Sequence, residues 1–420
     1  MRVVVLFALI TFFAVSAVSQ EQLPKEWIDP DTGHRVIRLS DEPGSASLYF
    51  HQNAYTPDGE KLIINTPTGL ATVNLKTHAI EKVVDGRVNV MVTGRKTGQV
   101  YYTRTGIVYA TDLNTKATRE IAKLPAGASL SSVNADETLL AGIIDEGRAT
   151  QGPGNQRTSA QTAGGPAPGA ARDDSYPSKG QMMENRLAER RPLQLITLNA
   201  RTGEVKTLLR GTDWYNHIQF SPTDSTLLMF CHEGPWHKVD RTWTIRTDGT
   251  GLTKIHPRTM NMEIEGHEFF SEDGKMIWYD LQTPKSQVFW LAGYSVASGG
   301  RIWYQLERSE WSVHFNVSPD GTLFAGDGGG PDSVAAPGNG QWIYLFRPSM
   351  VPDRTDGALP NGKALVQAGY FKAEKLVNLA KHNYRLEPNV TFTPDQKWIV
   401  FRSNMLGPTH VFAVEVAKAK

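Results

Sequence analysis

The chain has 420 residues, and its 44 Lys and Arg stand against 43 Asp and Glu, a formal net charge of +1. That balance lacks the clustered cationic excess on which nucleic-acid binding depends, so no nucleic-acid partner is expected. A single cysteine, Cys231, excludes an intrachain disulfide, while 38 glycines, 24 prolines and 9% aromatic residues indicate a turn-rich fold around a hydrophobic core.

The chain opens with "MRVVVLFALITFFAVSAVSQ", in which one early cation, Arg2, precedes an apolar run and the small residues Ala17 and Ser19. This predicts a secretory signal over 1–19 with cleavage after Ser19. The run is short of the roughly 20 residues that span a bilayer, and no later segment is apolar enough to do so. Residues 20–420 are therefore expected as one domain in a periplasm or outside the cell, without a membrane span.

A repeated unit follows. Turns such as "TPDGEKLII" (56–64), "SEDGKMIWY" (271–279), "SPDGTLFAG" (318–326) and "TPDQKWIVF" (393–401) each lead into an apolar run. Pro presets φ for the first corner and Asp-Gly tolerates the positive φ of a tight turn, so each motif predicts two antiparallel strands. Together with strand–turn–strand elements at 71–83, 109–121 and 194–209, they give units near 49–84, 88–123, 129–209, 216–256, 266–306, 312–380 and 388–416. A spacing of about 40 residues per four-stranded unit is that of a propeller blade. The predicted fold is all-β, a seven-bladed β-propeller, with "HRVIRLS" (34–40) joining the last blade to close the ring; a sandwich is the alternative. Residues 148–190, rich in Gly, Ala, Pro, Gln and Ser, predict a mobile insertion in the third unit, helical near "QMMENRLAER" (181–190). A second long loop is expected at 328–340.

Several histidines sit at strand ends: His217 in "WYNHIQFSP", His232 in "FCHEGP", His267 in "EGHEFFSEDG" and His314 in "WSVHFNVSPDG". Three of these precede the blade turn by a similar distance. Corresponding positions of successive blades point at one axial region, so these side chains converge despite their separation in sequence. Cys231 and His232 are neighbours on a strand and should face opposite ways, which argues against a Cys–His nucleophile. The spacing leaves open whether the histidines hold metal or substrate. Glu233 either orients a neighbour or caps its turn.

The stretches "DPDTGHRVIRLS" (29–40), "FCHEGPWHKVDRTW" (230–243), "GHEFFSEDG" (266–274) and "SPDGTLFAGDGG" (318–329) resemble those of the oligogalacturonate lyases, seven-bladed propellers that cleave short pectic oligosaccharides. The resemblance implies metal-assisted β-elimination on a uronic-acid oligosaccharide, with manganese the first choice of cation. By position it makes His232 the proton-abstracting base and His267 a metal ligand. The family's remaining ligands come from a Q-x-x-H-P-H segment, which here reads "YRLEPN", with Tyr384, Glu387 and Asn389 at the ligand positions. Glu387 and Asn389 are the expected oxygen ligands, a set that also suits Ca²⁺ or Mg²⁺. His217, His314, Arg241 and Lys238 are candidates for substrate contacts. Two other readings stay open: a non-catalytic envelope propeller that binds glycan or protein, and a lyase or hydrolase for a different uronate glycan.

Overall fold

The computed structural model describes residues 23–149, 179–331, 333, 335, 338–352 and 362–419. The expected signal at 1–19 and most of the insertion expected at 148–190 lie outside them. Among the described residues no helix is long and apolar enough to cross a membrane.

Seven blades are present. In chain order, the first and last strands are Ala46–Ser47 and Ile80–Asp85 in blade one, Asn89–Thr93 and Thr118–Lys123 in blade two, and Ala128–Val133 and Val205–Gly211 in blade three. Blade four runs from Trp214–Phe220 to Thr253–Lys254, blade five from Ile264–Phe270 to Arg301–Leu306, and blade six from Phe315–Val317 to Val366–Asn378. Blade seven is Thr391–Phe392, Trp398–Ser403 and His410–Lys418, completed by the early strand His34–Arg38, with Glu26–Ile28 added outside it. The closing strand from the start of the chain pairs where the sequence places it, and this removes the open edges that a linear stack of sheets would leave.

The blade turns owe their shape to one repeated side-chain device. Thr56, Ser271, Ser318 and Thr393 each donate a hydroxyl to the Asp two residues on, at 2.5–2.7 Å. That Asp accepts a backbone N–H two residues further, as between Asp58 and Glu60 (2.9 Å). Gly59 occupies the left-handed corner at φ 71°, and Gln396 fills the same corner in blade seven at φ 62°. Apolar faces between the blades bury the strands; Phe269, Phe289, Phe315, Phe324 and Phe346 pack in one cluster between blades five and six. Burying each such ring contributes about 1.5–3 kcal/mol, which is how a chain without disulfides holds its ring.

The parallel pairing of blades five and six was not legible beforehand, and the helix expected near 181–190 is present with contacts that the sequence did not show. The last strand of blade five, Arg301–Leu306, pairs in parallel with Val366–Asn378, joining blades five and six into one eight-stranded sheet. The helix Lys179–Glu189 extends from blade three to blade four: Arg186 stacks over Trp214 at 5.4 Å, and Lys238 pairs with Glu184 at 2.8 Å.

Candidate functional site

The first strands of the blades are neighbours around the axis; Ala128–Val133 touches both Asn89–Thr93 and Trp214–Phe220. Two of them are interrupted at a histidine. Register slips between Asn216 and Gln219 in blade four, and between Gly266 and Phe269 in blade five. The residues in these bulges, His217 (φ 47°) and His267 (φ 48°), take left-handed backbone, as does Asn389 (φ 58°) just before the first strand of blade seven. Non-glycine residues pay strain for this conformation, and a bulge re-aims the side chain it carries.

The result is a collar of histidines. The His267 and His314 rings lie 4.7 Å apart, and Phe50 packs on His314 at 4.7 Å and on His267 at 6.4 Å. Tyr49 reaches His51 (5.0 Å), His314 (5.3 Å) and His217 (5.9 Å), while His51 lies 6.2 Å from His217. Tyr49 and His51 come from blade one and were not singled out from the sequence. Below the collar, an axial cavity of about 340 Å³ runs from Phe50 and His51 to the blade turns, where Arg95 and Glu272 pair.

Carboxylates on the second strand of blade five and just past that of blade six hold these rings. Asp280 binds His267 Nδ1 at 2.8 Å and Asp327 binds His314 Nδ1 at 2.8 Å. Asp327 also accepts the backbone N–H groups of His314 and Asn389, tying blade six to blade seven. Burial disfavours charge on His314, but the adjacent Asp327 outweighs it and raises the pKa. Among the described residues His51 has no such carboxylate hydrogen bond, and burial, reinforced by His217, pushes it down to about 3, leaving it neutral. In blade four Glu233 takes the orienting role: its Oε2 lies 3.2 Å from His217 Nε2, and Arg241 Nη1 donates to its Oε1 at 3.0 Å.

The expected site residues thus divide. His217, His267 and His314 meet in the collar, and Glu387 lies beside them, its Oε2 3.7 Å from His314 Nε2. His232 is not in contact with the collar rings. It pairs across the sheet with Tyr215, stacks on Trp243 at 5.1 Å and sits 3.9 Å from Asp213, on the opposite face of its strand from Cys231 and Glu233. Burial lowers its pKa, with Asp213 and Asp240 opposing. Three expectations are corrected. Asn389 turns its amide to the backbone, donating to Glu387 O (3.0 Å) and accepting from Phe50 N (3.4 Å), so its side chain is committed away from an ion. Arg241 is 4% exposed and held by Glu233 and by Glu268 (3.0 Å), so it braces blades four and five rather than reaching a sugar. Lys238 is held outward by Glu184.

Comparison with known proteins adds to this geometry. The family model described as oligogalacturonate lyase matches residues 189–419. The chain belongs to the oligogalacturonate lyase family. The oligogalacturonate lyase of Dickeya dadantii (strain 3937) is 25% identical over 92% of this chain and 95% of its own length. An oligogalacturonide lyase of Pectobacterium atrosepticum shows the same identity and coverage. Among solved structures, an oligogalacturonate lyase in complex with manganese shares the fold at a TM-score of 0.71, with 21% identity, over 94% of this chain and 96% of that one. An oligogalacturonate lyase from Vibrio parahaemolyticus gives a TM-score of 0.72 at 21% identity, with the same coverage.

The family implies a divalent cation, and the collar's donor chemistry fits one. Asp280 occupies His267 Nδ1, so Nε2 is the atom left to meet a ligand, the arrangement usual for a metal-bound imidazole. Glu387, whose side chain is 38% exposed, brings a carboxylate oxygen, and His314 offers a second Nε2 that now lies 3.2 Å from the Tyr49 hydroxyl. Two imidazoles and a carboxylate suit Mn²⁺.

Proposed function

We propose that the chain cleaves short uronic-acid oligosaccharides, oligogalacturonates first among them, by β-elimination at the collar. The observation that carries this reading is the convergence of His217, His267 and His314 from three successive blades, each braced by a buried carboxylate.

Elimination across C4–C5 of a uronate removes a proton α to a carboxylate, which places a second negative charge beside the first. His267, Glu387 and His314 would hold a divalent cation, which would supply the positive charge that makes this proton acidic. The chain's own residues do the rest. Asp280 and Asp327 fix the ring orientations of His267 and His314. The neutral His51 and the protonated Tyr49, whose pKa burial raises well above the usual phenol, offer hydrogen bonds to sugar hydroxyls.

By the family resemblance His232 takes the proton, which requires its ring to turn from the position it holds against Trp243 and Asp213, out of contact with the collar rings. Its buried Nε2 has no hydrogen-bond partner among the described residues, and its lowered pKa keeps it in the basic form at neutral pH. A second reading gives this role to His217, because that ring lies in the collar itself with Nε2 held by Glu233. Replacing each by Ala and following the ultraviolet absorbance of the unsaturated uronate separates the two. His232→Ala should lose ~10²–10⁴-fold in rate. An undiminished rate in His232→Ala beside an inactive His217→Ala would move the proton to His217.

A further inference from the structure

On the flank of the collar, sharing His217 with it, one cluster combines an imidazole, a thiol and a carboxylate. His217 Nε2, Cys231 Sγ and a carboxylate oxygen of Glu233 all lie within 4.8 Å of one another, the one such group of three found among the described residues. Glu233 Oε2 is 3.2 Å from His217 Nε2 and 3.9 Å from Cys231 Sγ. Tetrahedral zinc, with bonds of about 2.0–2.3 Å, sets its ligand atoms roughly 3.3–3.7 Å apart. The two spacings from Glu233 Oε2 bracket that range and the third is within 4.8 Å, so side-chain movement is needed to close the site around an ion.

The surroundings favour a cation. Asn216 donates to Glu233 Oε2 at 3.1 Å, and Arg241 holds the other oxygen, fixing the carboxylate as outer partners fix a metal ligand. Arg241 is shared with Glu268, so one guanidinium stands against two carboxylates and the cluster is net negative. Entry is from the collar side, where His217 keeps a side-chain exposure of 13%.

We infer that His217, Cys231 and Glu233 form a second metal site, selective for a thiophilic divalent cation such as Zn²⁺. On binding, the thiol proton passes to solvent and the cation takes its place on sulfur. Thiolate and imidazole favour zinc, whereas the His267–Glu387 side of the collar, richer in oxygen, suits Mn²⁺. Occupancy engages His217 Nε2 and pins that ring at the flank of the collar, so zinc acts as an inhibitor there while manganese does not.

Cys231 is the chain's single cysteine, which makes the test unambiguous. Titrating the folded, manganese-loaded full chain with Co²⁺ should produce a thiolate-to-cobalt charge-transfer band at one equivalent, bleached stoichiometrically by Zn²⁺. Cys231→Ser should abolish the band, and His267→Ala should retain it. Absence of the band from the wild-type protein at excess cobalt overturns the inference without any variant. So does a band that survives Cys231→Ser, and loss of the band in His267→Ala overturns the separateness of the two sites.

Discussion

Replacing Arg241 by Met removes the guanidinium that bridges two buried carboxylates. Glu233 is 8% exposed and Glu268 fully buried, and each accepts from the guanidinium at 3.0 Å. Breaking a buried pair by deleting one partner costs about 3–5 kcal/mol, because the survivor is left charged without compensation. Against a total stability of about 5–15 kcal/mol, that is a large fraction. The deficit should also depend on pH. Burial raises the Glu268 pKa, and Arg241 more than cancels this, so the group is held below its ordinary value of 4.5. Without Arg241 burial dominates and the folded pKa rises above the unfolded one. Stability of the variant is then best at low pH and falls as pH rises through the new pKa. Urea unfolding followed by tryptophan fluorescence at pH 5 and pH 8 should show a smaller deficit at pH 5, and adding Glu268→Gln should recover part of the loss at pH 8. A deficit under about 1 kcal/mol, or one independent of pH, would refute the argument, since it would place Arg241 among ordinary surface substitutions.

Asp280→Asn, which loosens the His267 ring, should weaken Mn²⁺ binding by about 10–100-fold when free Mn²⁺ is measured by electron paramagnetic resonance. Glu265 is buried and pushed up to about 7 from an ordinary 4.5, so its contribution to stability is present below pH 4.5 and lost as pH rises through 7. Glu265→Gln should therefore melt higher than wild type at pH 8, by up to about 3 kcal/mol in stability, with the gap closing near pH 5. Because burial lowers the His232 pKa, the acid limb of kcat/KM should have its midpoint below 6.5; a midpoint above that value would point to a carboxylate-supported imidazole instead. Exhaustive chelation should abolish turnover, and Mn²⁺ should restore it.

The ring was legible because its turns carry their own chemistry: a hydroxyl, an Asp and a left-handed corner recur from Thr56 to Gln396. The collar was legible in part for the same reason, since His217, His267 and His314 each stand five residues before the turn position held by Pro222, Glu272 and Pro319. Asn389 stands at the same offset from Pro394, and His51 six residues before Pro57, one step outside that pattern. The bracing carboxylates left a trace as well: Asp280 and Asp327 each follow their histidine by 13 residues. What sequence could not convey was direction. Arg241 and Lys238 have the right charge for a uronate, yet their partners, Glu233 with Glu268 and Glu184 respectively, lie on neighbouring strands and on a distant helix. The Asn389 amide is likewise consumed by the backbone of Phe50 and Glu387.

The proposal that the collar performs uronate elimination meets its sharpest check in a single trace: absorbance of the unsaturated product over time, from trigalacturonate mixed with the manganese-loaded chain. A steady rise is expected. A flat trace from folded, metal-loaded protein that nonetheless binds the oligomer saturably would contradict it and leave a glycan-binding propeller.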